Sequence, residues 1–157
     1  MISTDKPLEV GTTAPLFSTH TTDNILFKLQ ERTGKWTVLY FYPKDDTPGC
    51  TNQACAFRDT IDLIRKQNAE VYGISQDNVA SHKKFTEKYQ LNFLLLADTD
   101  GKISRAYGTD GVLGFSKRWT FIIDPARKIR WLQKDVDPAY NAKEVAMVLE
   151  QLQKSAK

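Results

Sequence analysis

Two cysteines, Cys50 and Cys55, are the residues of this sequence best suited to nucleophilic and redox chemistry. The thiolate form of cysteine is a strong nucleophile, and the residues before Cys50 suit a reactive site. Thr47 offers a hydroxyl that can both donate and accept, and Gly49 lets the backbone approach a ligand closely. Pro43 stiffens the segment that leads to them. These residue types predict a reactive thiol at Cys50.

The elements around Cys50 would place it at the start of a helix. Residues 36–42 are β-branched and aromatic, which predicts a buried strand that ends at Pro43. Apolar residues recur at helical spacing over residues 50–67. The free N–H groups and dipole of a first helical turn stabilise a thiolate. The same residues also fit a second interpretation, a buried inert cysteine with Thr47 as an ordinary helix cap.

Strands and helices alternate along the rest of the chain. Further strands are predicted at residues 70–75, 93–97, 119–123 and 128–133. Further helices are predicted at residues 79–89, 102–107 and 142–154. Residues 16–18 and 25–28 flank a polar segment and predict an N-terminal hairpin. This order predicts an α/β fold, a thioredoxin-like sandwich with a mixed central β-sheet flanked by helices, formed by residues 1–157 as a single domain.

The composition excludes several classes of function. Hydrophobic residues make up 41% of the chain and charged residues 26%, as in globular proteins. The net charge of +3 is small and scattered, so we expect no nucleic-acid partner. No segment approaches the roughly 18 apolar residues of a membrane span, so we expect no membrane association and a cytoplasmic location. Two cysteines are too few for a disulfide scaffold.

The remaining titratable side chains near the cysteines receive no catalytic role. His20 and His82 are expected at the surface, and neither has the spacing of a zinc finger, so no metal site is predicted. Asp45 and Asp46 would oppose a thiolate if they pointed towards it. We therefore expect both carboxylates to face water.

The spacing Pro43-x-x-x-Thr47-x-x-Cys50 resembles the peroxidatic signature of the peroxiredoxins. The longer segment over residues 47–59, which includes Cys55, resembles the peroxiredoxin Q subfamily, also called bacterioferritin comigratory protein. The resemblance continues in four other segments, at residues 11–17, 71–75, 93–98 and 118–124. It spans nearly the whole chain.

The resemblance implies a thiol peroxidase that reduces hydrogen peroxide and organic hydroperoxides and serves in antioxidant defence. Cys50 would be the peroxidatic nucleophile and Cys55 the resolving thiol, joined after reaction in an intramolecular disulfide. Thr47 and Arg118 would polarise the peroxide, and Pro43 would shield the site from water. Thioredoxin or a glutaredoxin-like dithiol would reduce the disulfide, and no cofactor would be needed.

Three further expectations follow from these implied roles. Many family members have Glu where this chain has Gln53, which leaves the hydrogen-bonding role of that position open. If Cys50 and Cys55 share one regular helix, their Cα atoms are roughly 8 to 9 Å apart. A disulfide requires less than about 7 Å, so residues 50–56 would have to unwind on oxidation. A resolving thiol in the same chain also predicts a monomer.

Two other functions remain open from the sequence. A redox sensor or binding module could use the same disulfide to control a partner protein, and would stop after one round of oxidation. A disulfide oxidoreductase acting on proteins is a third possibility, although the Cys-x4-Cys spacing and Thr47 favour peroxide.

Overall fold

The computed structural model describes residues 8–155, and seven strands and four α-helices lie in that part of the chain. The strands are β1 (Ser18–His20), β2 (Leu26–Lys28), β3 (Trp36–Phe41), β4 (Ala69–Ser75), β5 (Leu94–Ala97), β6 (Thr120–Ile123) and β7 (Ile129–Gln133). The helices are α1 (Pro48–Arg65), α2 (Val79–Tyr89), α3 (Lys102–Tyr107) and α4 (Asn141–Ser155). Short 3₁₀ turns at Leu29–Arg32 and Val112–Gly114 were not predicted.

Strand β3 is the middle strand of a five-stranded sheet with the order β5-β4-β3-β6-β7. It pairs parallel with β4, and β4 pairs parallel with β5, whereas β6 and β7 continue the other side antiparallel. All six residues of β3 are buried, because side chains cover both faces of the sheet. The mixed sheet flanked by helices confirms the predicted α/β sandwich.

Alternate residues of β3 point to two separate hydrophobic clusters. On one face, Val38 and Tyr40 pack with residues of α1 and α4, among them Phe57, Ile64, Val145 and Leu149. On the other face, Leu39 and Phe41 pack with residues of α3 and the hairpin, among them Ile103, Tyr107 and Phe27. Helix α1 is therefore fixed against the sheet along the face that Tyr40 occupies.

The N-terminal hairpin is present as predicted, but its first strand starts later in the chain. Residues Ser18–His20 pair antiparallel with Leu26–Lys28, instead of the predicted residues 16–18 with 25–28. The reason lies in the turn, where the Thr21 hydroxyl accepts hydrogen bonds from the amides of Asp23 and Ile25. This side-chain turn brings His20 opposite Leu26 and sets the register.

The Tyr40 ring fills the space between the sheet and α1. It stacks on Phe57 with ring centroids 4.6 Å apart, and it lies over Gly73 of the neighbouring strand. A Cβ atom at position 73 would lie 2.7 Å from Cζ of Tyr40, so only glycine fits there. Burial, with smaller contributions from Cys50 and Asp45, raises the pKa of the Tyr40 hydroxyl well above its ordinary value.

The hydroxyls of Tyr40 and Tyr42 differ in a way that stability measurements can detect. Among the described residues, the buried Tyr40 hydroxyl has no hydrogen-bond partner, whereas the Tyr42 hydroxyl donates to Asp45 Oδ1 at 2.6 Å. We expect Tyr40→Phe to raise the free energy of unfolding by about 1 kcal/mol and Tyr42→Phe to lower it by about 2 kcal/mol. Denaturant unfolding of the two variants measures both values. Equal destabilisation would contradict the prediction.

Candidate active site

Helix α1 brings Cys50 into its first turn. The helix begins at Pro48, close to the predicted start, with Thr47 as the residue before it. Proline suits the first helical position because its fixed φ matches the helix and its missing N–H would have had no acceptor. The first backbone hydrogen bond of the helix runs from the Thr51 amide to the Thr47 carbonyl. The amides before Thr51 have no acceptor within the helix. Cys50 therefore lies among the free N–H groups of the first turn, as predicted.

The Cys50 side chain is enclosed, with 1% of its surface exposed, and it packs in the same cluster as Tyr40 and Tyr42. Burial of this kind is also typical of an inert cysteine. The difference is the guanidinium of Arg118, whose Nη2 donates to Cys50 Sγ at 3.4 Å. A guanidinium keeps its positive charge at physiological pH, so the sulfur faces a permanent cation. This contact distinguishes the surroundings of Cys50 from a purely apolar pocket.

Arg118 is itself held by a buried chain of hydrogen bonds. Its Nη1 donates at 2.8 Å to Oε1 of Gln53, which is fully buried one turn after Cys50. The Gln53 amide donates in turn to Oδ1 of Asn141 at 2.9 Å, and this oxygen also accepts from the Thr120 hydroxyl. Position 53 therefore does have a hydrogen-bonding role, which is to orient Arg118. No motif or spacing in the sequence identified Asn141 as part of the site, because it is a single polar residue at the start of α4.

The structure places Thr47 and Pro43 in the loop between β3 and α1, beside Cys50 in the chain. The Thr47 hydroxyl donates to the Lys44 carbonyl at 2.9 Å, so its proton is occupied and its lone pairs remain as acceptors. Pro43 is half-buried. The hydrogen bond of the Thr47 side chain is to the backbone of its own loop and not to Cys50.

The expectation that both Asp45 and Asp46 face water is wrong for Asp45. Only 7% of Asp45 is exposed, and its carboxylate accepts hydrogen bonds from Tyr42 and from residues of α2. The reason is that the first turns of α2 pack against this loop. Asp46 is exposed as predicted, and hydrogen bonds from Lys88 and Tyr89 lower the pKa of its carboxyl.

The expectation of two surface histidines is wrong for His82. His20 is exposed, but His82 is fully buried between Asp45 and the carbonyl of Leu96. Its position three residues before Phe85 places both on the inward face of α2. This helical spacing was visible in the sequence and could have identified His82 as a buried residue.

The sequence model of the AhpC/TSA family matches residues 10–132 of this chain, which include Cys50 and Arg118. The chain belongs to the AhpC/TSA family. Among curated proteins, a putative peroxiredoxin bcp of Coxiella burnetii is 46% identical over 101 residues, which cover 64% of this chain and 67% of that protein. The chloroplastic peroxiredoxin Q of Oryza sativa subsp. japonica is 38% identical over 145 residues, which cover 90% of this chain and 67% of that protein.

Solved structures of the same subfamily superimpose on most of the chain. Peroxidoxin BcpB of Mycobacterium tuberculosis matches with a TM-score of 0.85 and 31% identity, covering 92% of this chain and 97% of that one. A variant of the peroxiredoxin Q of Xylella fastidiosa matches with a TM-score of 0.87 and 28% identity, covering 97% and 99%. The chain is therefore a peroxiredoxin of the Q type with a thioredoxin-like fold, and a thiol peroxidase.

The second cysteine of this peroxiredoxin lies in the same helix as the first. Cys55 is half-buried, both thiols are free, and α1 continues without a break from Pro48 to Arg65. The geometry of a regular helix separates the two Cα atoms by roughly 8 to 9 Å, too far for a disulfide. The structure therefore corresponds to a reduced form in which residues 50–56 are helical.

The described part of the chain offers neither a metal-binding cluster nor a membrane-spanning helix. Within residues 8–155, no cluster of three or more His, Cys, Asp or Glu side chains is placed to hold a metal ion. Over the same residues, no helix has both the length and the apolar character needed to cross a membrane.

Proposed function

We propose that Cys50 is the peroxidatic nucleophile of this peroxiredoxin. The observation that carries the proposal is the contact of Arg118 Nη2 with Cys50 Sγ in the first turn of α1. The Cys50 thiolate attacks the terminal oxygen of the hydroperoxide, the O–O bond breaks, and the departing oxygen takes a proton to become water or an alcohol. Cys50 is left as a sulfenic acid.

We further propose that Arg118 and Thr47 stabilise the charge that moves between the two peroxide oxygens. The guanidinium is a fixed donor beside the sulfur, so it needs no rearrangement when the O–O bond breaks. Thr47 can contact the peroxide after its hydroxyl rotates away from the Lys44 carbonyl. Pro43, half-buried at the end of β3, would limit the access of water.

The proposed second step joins Cys50 to Cys55. The Cys55 thiol attacks the sulfenic sulfur, an S–S bond forms, and water leaves. Because a regular helix holds the two residues too far apart, residues 50–56 must unwind before this step. Helix α1 is anchored beyond that point, since Phe57 is fully buried against Tyr40 and Arg58 donates to the Tyr89 carbonyl. The unwinding is therefore confined to the first turns.

Hydrogen exchange tests this second step. We expect one equivalent of peroxide to remove the exchange protection of residues 50–56, while the helix from Phe57 to Arg65 keeps its protection. Mass analysis of peptides should find Cys50 and Cys55 linked in the same samples. The matched control is Cys55→Ser, which can form the sulfenic acid but no internal disulfide. Equal protection of residues 50–56 in the reduced and oxidised chains would contradict the proposal.

An external dithiol, thioredoxin or a glutaredoxin-like protein, is proposed to return the disulfide to two thiols. Steady-state consumption of hydrogen peroxide or an organic hydroperoxide with such a donor separates this enzyme from a redox sensor. The enzyme consumes many equivalents of peroxide per chain, whereas a sensor stops after one. Alkyl peroxide reduction is attributed to the bacterioferritin comigratory protein of Xanthomonas campestris, which is 29% identical to this chain.

A single domain, a monomeric state and a cytoplasmic location remain parts of the proposal. An internal resolving thiol supports the monomer, because no thiol from a second chain is needed. The location stays a prediction, and the peroxiredoxin Q of Oryza sativa is chloroplastic. Sedimentation or light scattering of the reduced chain measures the oligomeric state.

A further inference from the structure

His82 is a fully buried histidine outside the residues that the proposed mechanism uses. Its Nδ1 lies 2.7 Å from Oδ2 of Asp45, and its Nε2 lies 2.9 Å from the carbonyl oxygen of Leu96. Both ring nitrogens are thus within hydrogen-bonding distance of oxygen, in a place from which solvent is excluded.

The partners of His82 determine where its protons are. The Leu96 carbonyl can only accept, so Nε2 carries a proton. Asp45 already accepts from the hydroxyls of Tyr42 and Ser81, and the short contact with Nδ1 requires one more proton between the two groups. His82 and Asp45 therefore form a buried pair joined by a short hydrogen bond.

Asp45 links this buried pair to the loop that leads to the catalytic helix. Its side chain is bound by Tyr42, Ser81 and His82, and its backbone amide donates to Asp77 Oδ2 at 2.8 Å. None of these bonds involves α1. The loop between β3 and α1, residues 42–47, is thus fastened to α2 and to the turn after β4 by bonds that do not involve the helix that must unwind.

We propose that His82 is a positioning residue for the loop of residues 42–47. His82 fixes the Asp45 carboxylate, and Asp45 in turn holds Pro43 and Thr47 in place beside Cys50. The inference rests on the proposed function, since it concerns the residues that surround the peroxide. A displacement of such groups by about 1 Å is enough to slow a reaction by about a hundredfold. The same displacement would leave the contact between Arg118 and the Cys50 sulfur in place, because Arg118 lies outside this loop, just before β6.

Two reactions of Cys50 distinguish positioning from general stability. Oxidation by hydrogen peroxide requires the loop residues, whereas alkylation by iodoacetamide requires only an accessible thiolate. Both rate constants are measured in the Cys55→Ser background, in which Cys50 is the one remaining thiol. We expect His82→Phe to lower the oxidation rate constant by about tenfold or more and to change the alkylation rate constant by less than about twofold.

Two further variants complete the test. Ser81→Ala removes one hydrogen bond to the same carboxylate and leaves the buried pair in place, so we expect a smaller loss in oxidation and none in alkylation. It decides the question if His82→Phe does not fold. His20→Gln, at the exposed histidine, is the matched control and should change neither rate. It also assigns the NMR signals of His82, because His20 and His82 are the two histidines of the sequence.

The outcomes separate this inference from the proposed function. Failure of peroxide to oxidise Cys50 in the unsubstituted chain would overturn both. Normal oxidation there, with an unchanged oxidation rate in His82→Phe and Ser81→Ala, would overturn the positioning role alone. Equal losses in oxidation and alkylation would also overturn it, because they would report a general disturbance around Cys50.

Discussion

Cys50→Ser is expected to reduce peroxide turnover to the rate of the uncatalysed reaction with the dithiol donor. A serine hydroxyl is not ionised near neutral pH, even beside a guanidinium, and it cannot form a sulfenic acid. Arg118 would still bind the new side chain, so we expect the variant to keep its fold. Steady-state peroxide consumption with a thioredoxin system or dithiothreitol measures the loss.

Cys55→Ser is the matched control, because it makes the same replacement five residues later in the same helix. It should still consume one equivalent of peroxide per chain, and mass analysis should then find a sulfenic acid or a product of it on Cys50. Turnover in Cys50→Ser at the rate of the unsubstituted chain would contradict the assignment of Cys50 as the nucleophile.

Arg118→Met is expected to lower the rate constant for the oxidation of Cys50 by about 10² to 10³-fold, the usual cost of removing one donor that stabilises developing charge. The substitution removes the contact with Cys50 Sγ and leaves Oε1 of the buried Gln53 without its donor. Arg118→Lys keeps the charge but cannot reach both partners with one ammonium group, so we expect an intermediate rate. Stopped-flow measurement of the reaction with peroxide provides these rate constants.

Arg130→Met serves as the matched control for this series. Arg130 is also partly buried, but it pairs with Asp124 in the turn between β6 and β7 instead of contacting Cys50. Its replacement should leave the oxidation rate within about twofold of the original. If Arg118→Met also kept the original rate, the guanidinium would have no part in peroxide reduction.

The apolar patterns of the sequence predicted most of the fold. Helices at Val79–Tyr89 and Lys102–Tyr107 have the predicted bounds, and the aromatic run of β3 is the buried middle strand. These predictions succeeded because periodic burial depends mainly on local spacing. The bounds of the first hairpin strand were missed because they depend on one hydroxyl, that of Thr21, which accepts from two backbone amides in the turn.

Only those residues of the candidate site that belong to a recognised motif were predicted from the sequence. Cys50 and Arg118 are far apart in the chain, and the structure brings them to 3.4 Å as the resemblance implied. Asn141 and Asp45 were missed, since nothing local to a polar residue reveals that a distant helix will cover it. Such networks arise from the packing of α2 and α4 onto the sheet, and single-sequence spacing does not contain that information.

The uncharged side chain of Gln53 beneath Arg118 links the proposed oxidation of Cys50 to the unwinding of α1 that has to follow it. Gln53 carries no charge, and among the described residues Arg118 forms no ion pair with a carboxylate, so its guanidinium is held by the Gln53 amide oxygen and the Cys50 sulfur. In the proposed mechanism, oxidation adds an oxygen to that sulfur and so disturbs the contact with Arg118 in the first turn of α1. The reaction with peroxide would then itself loosen the segment that has to unwind next.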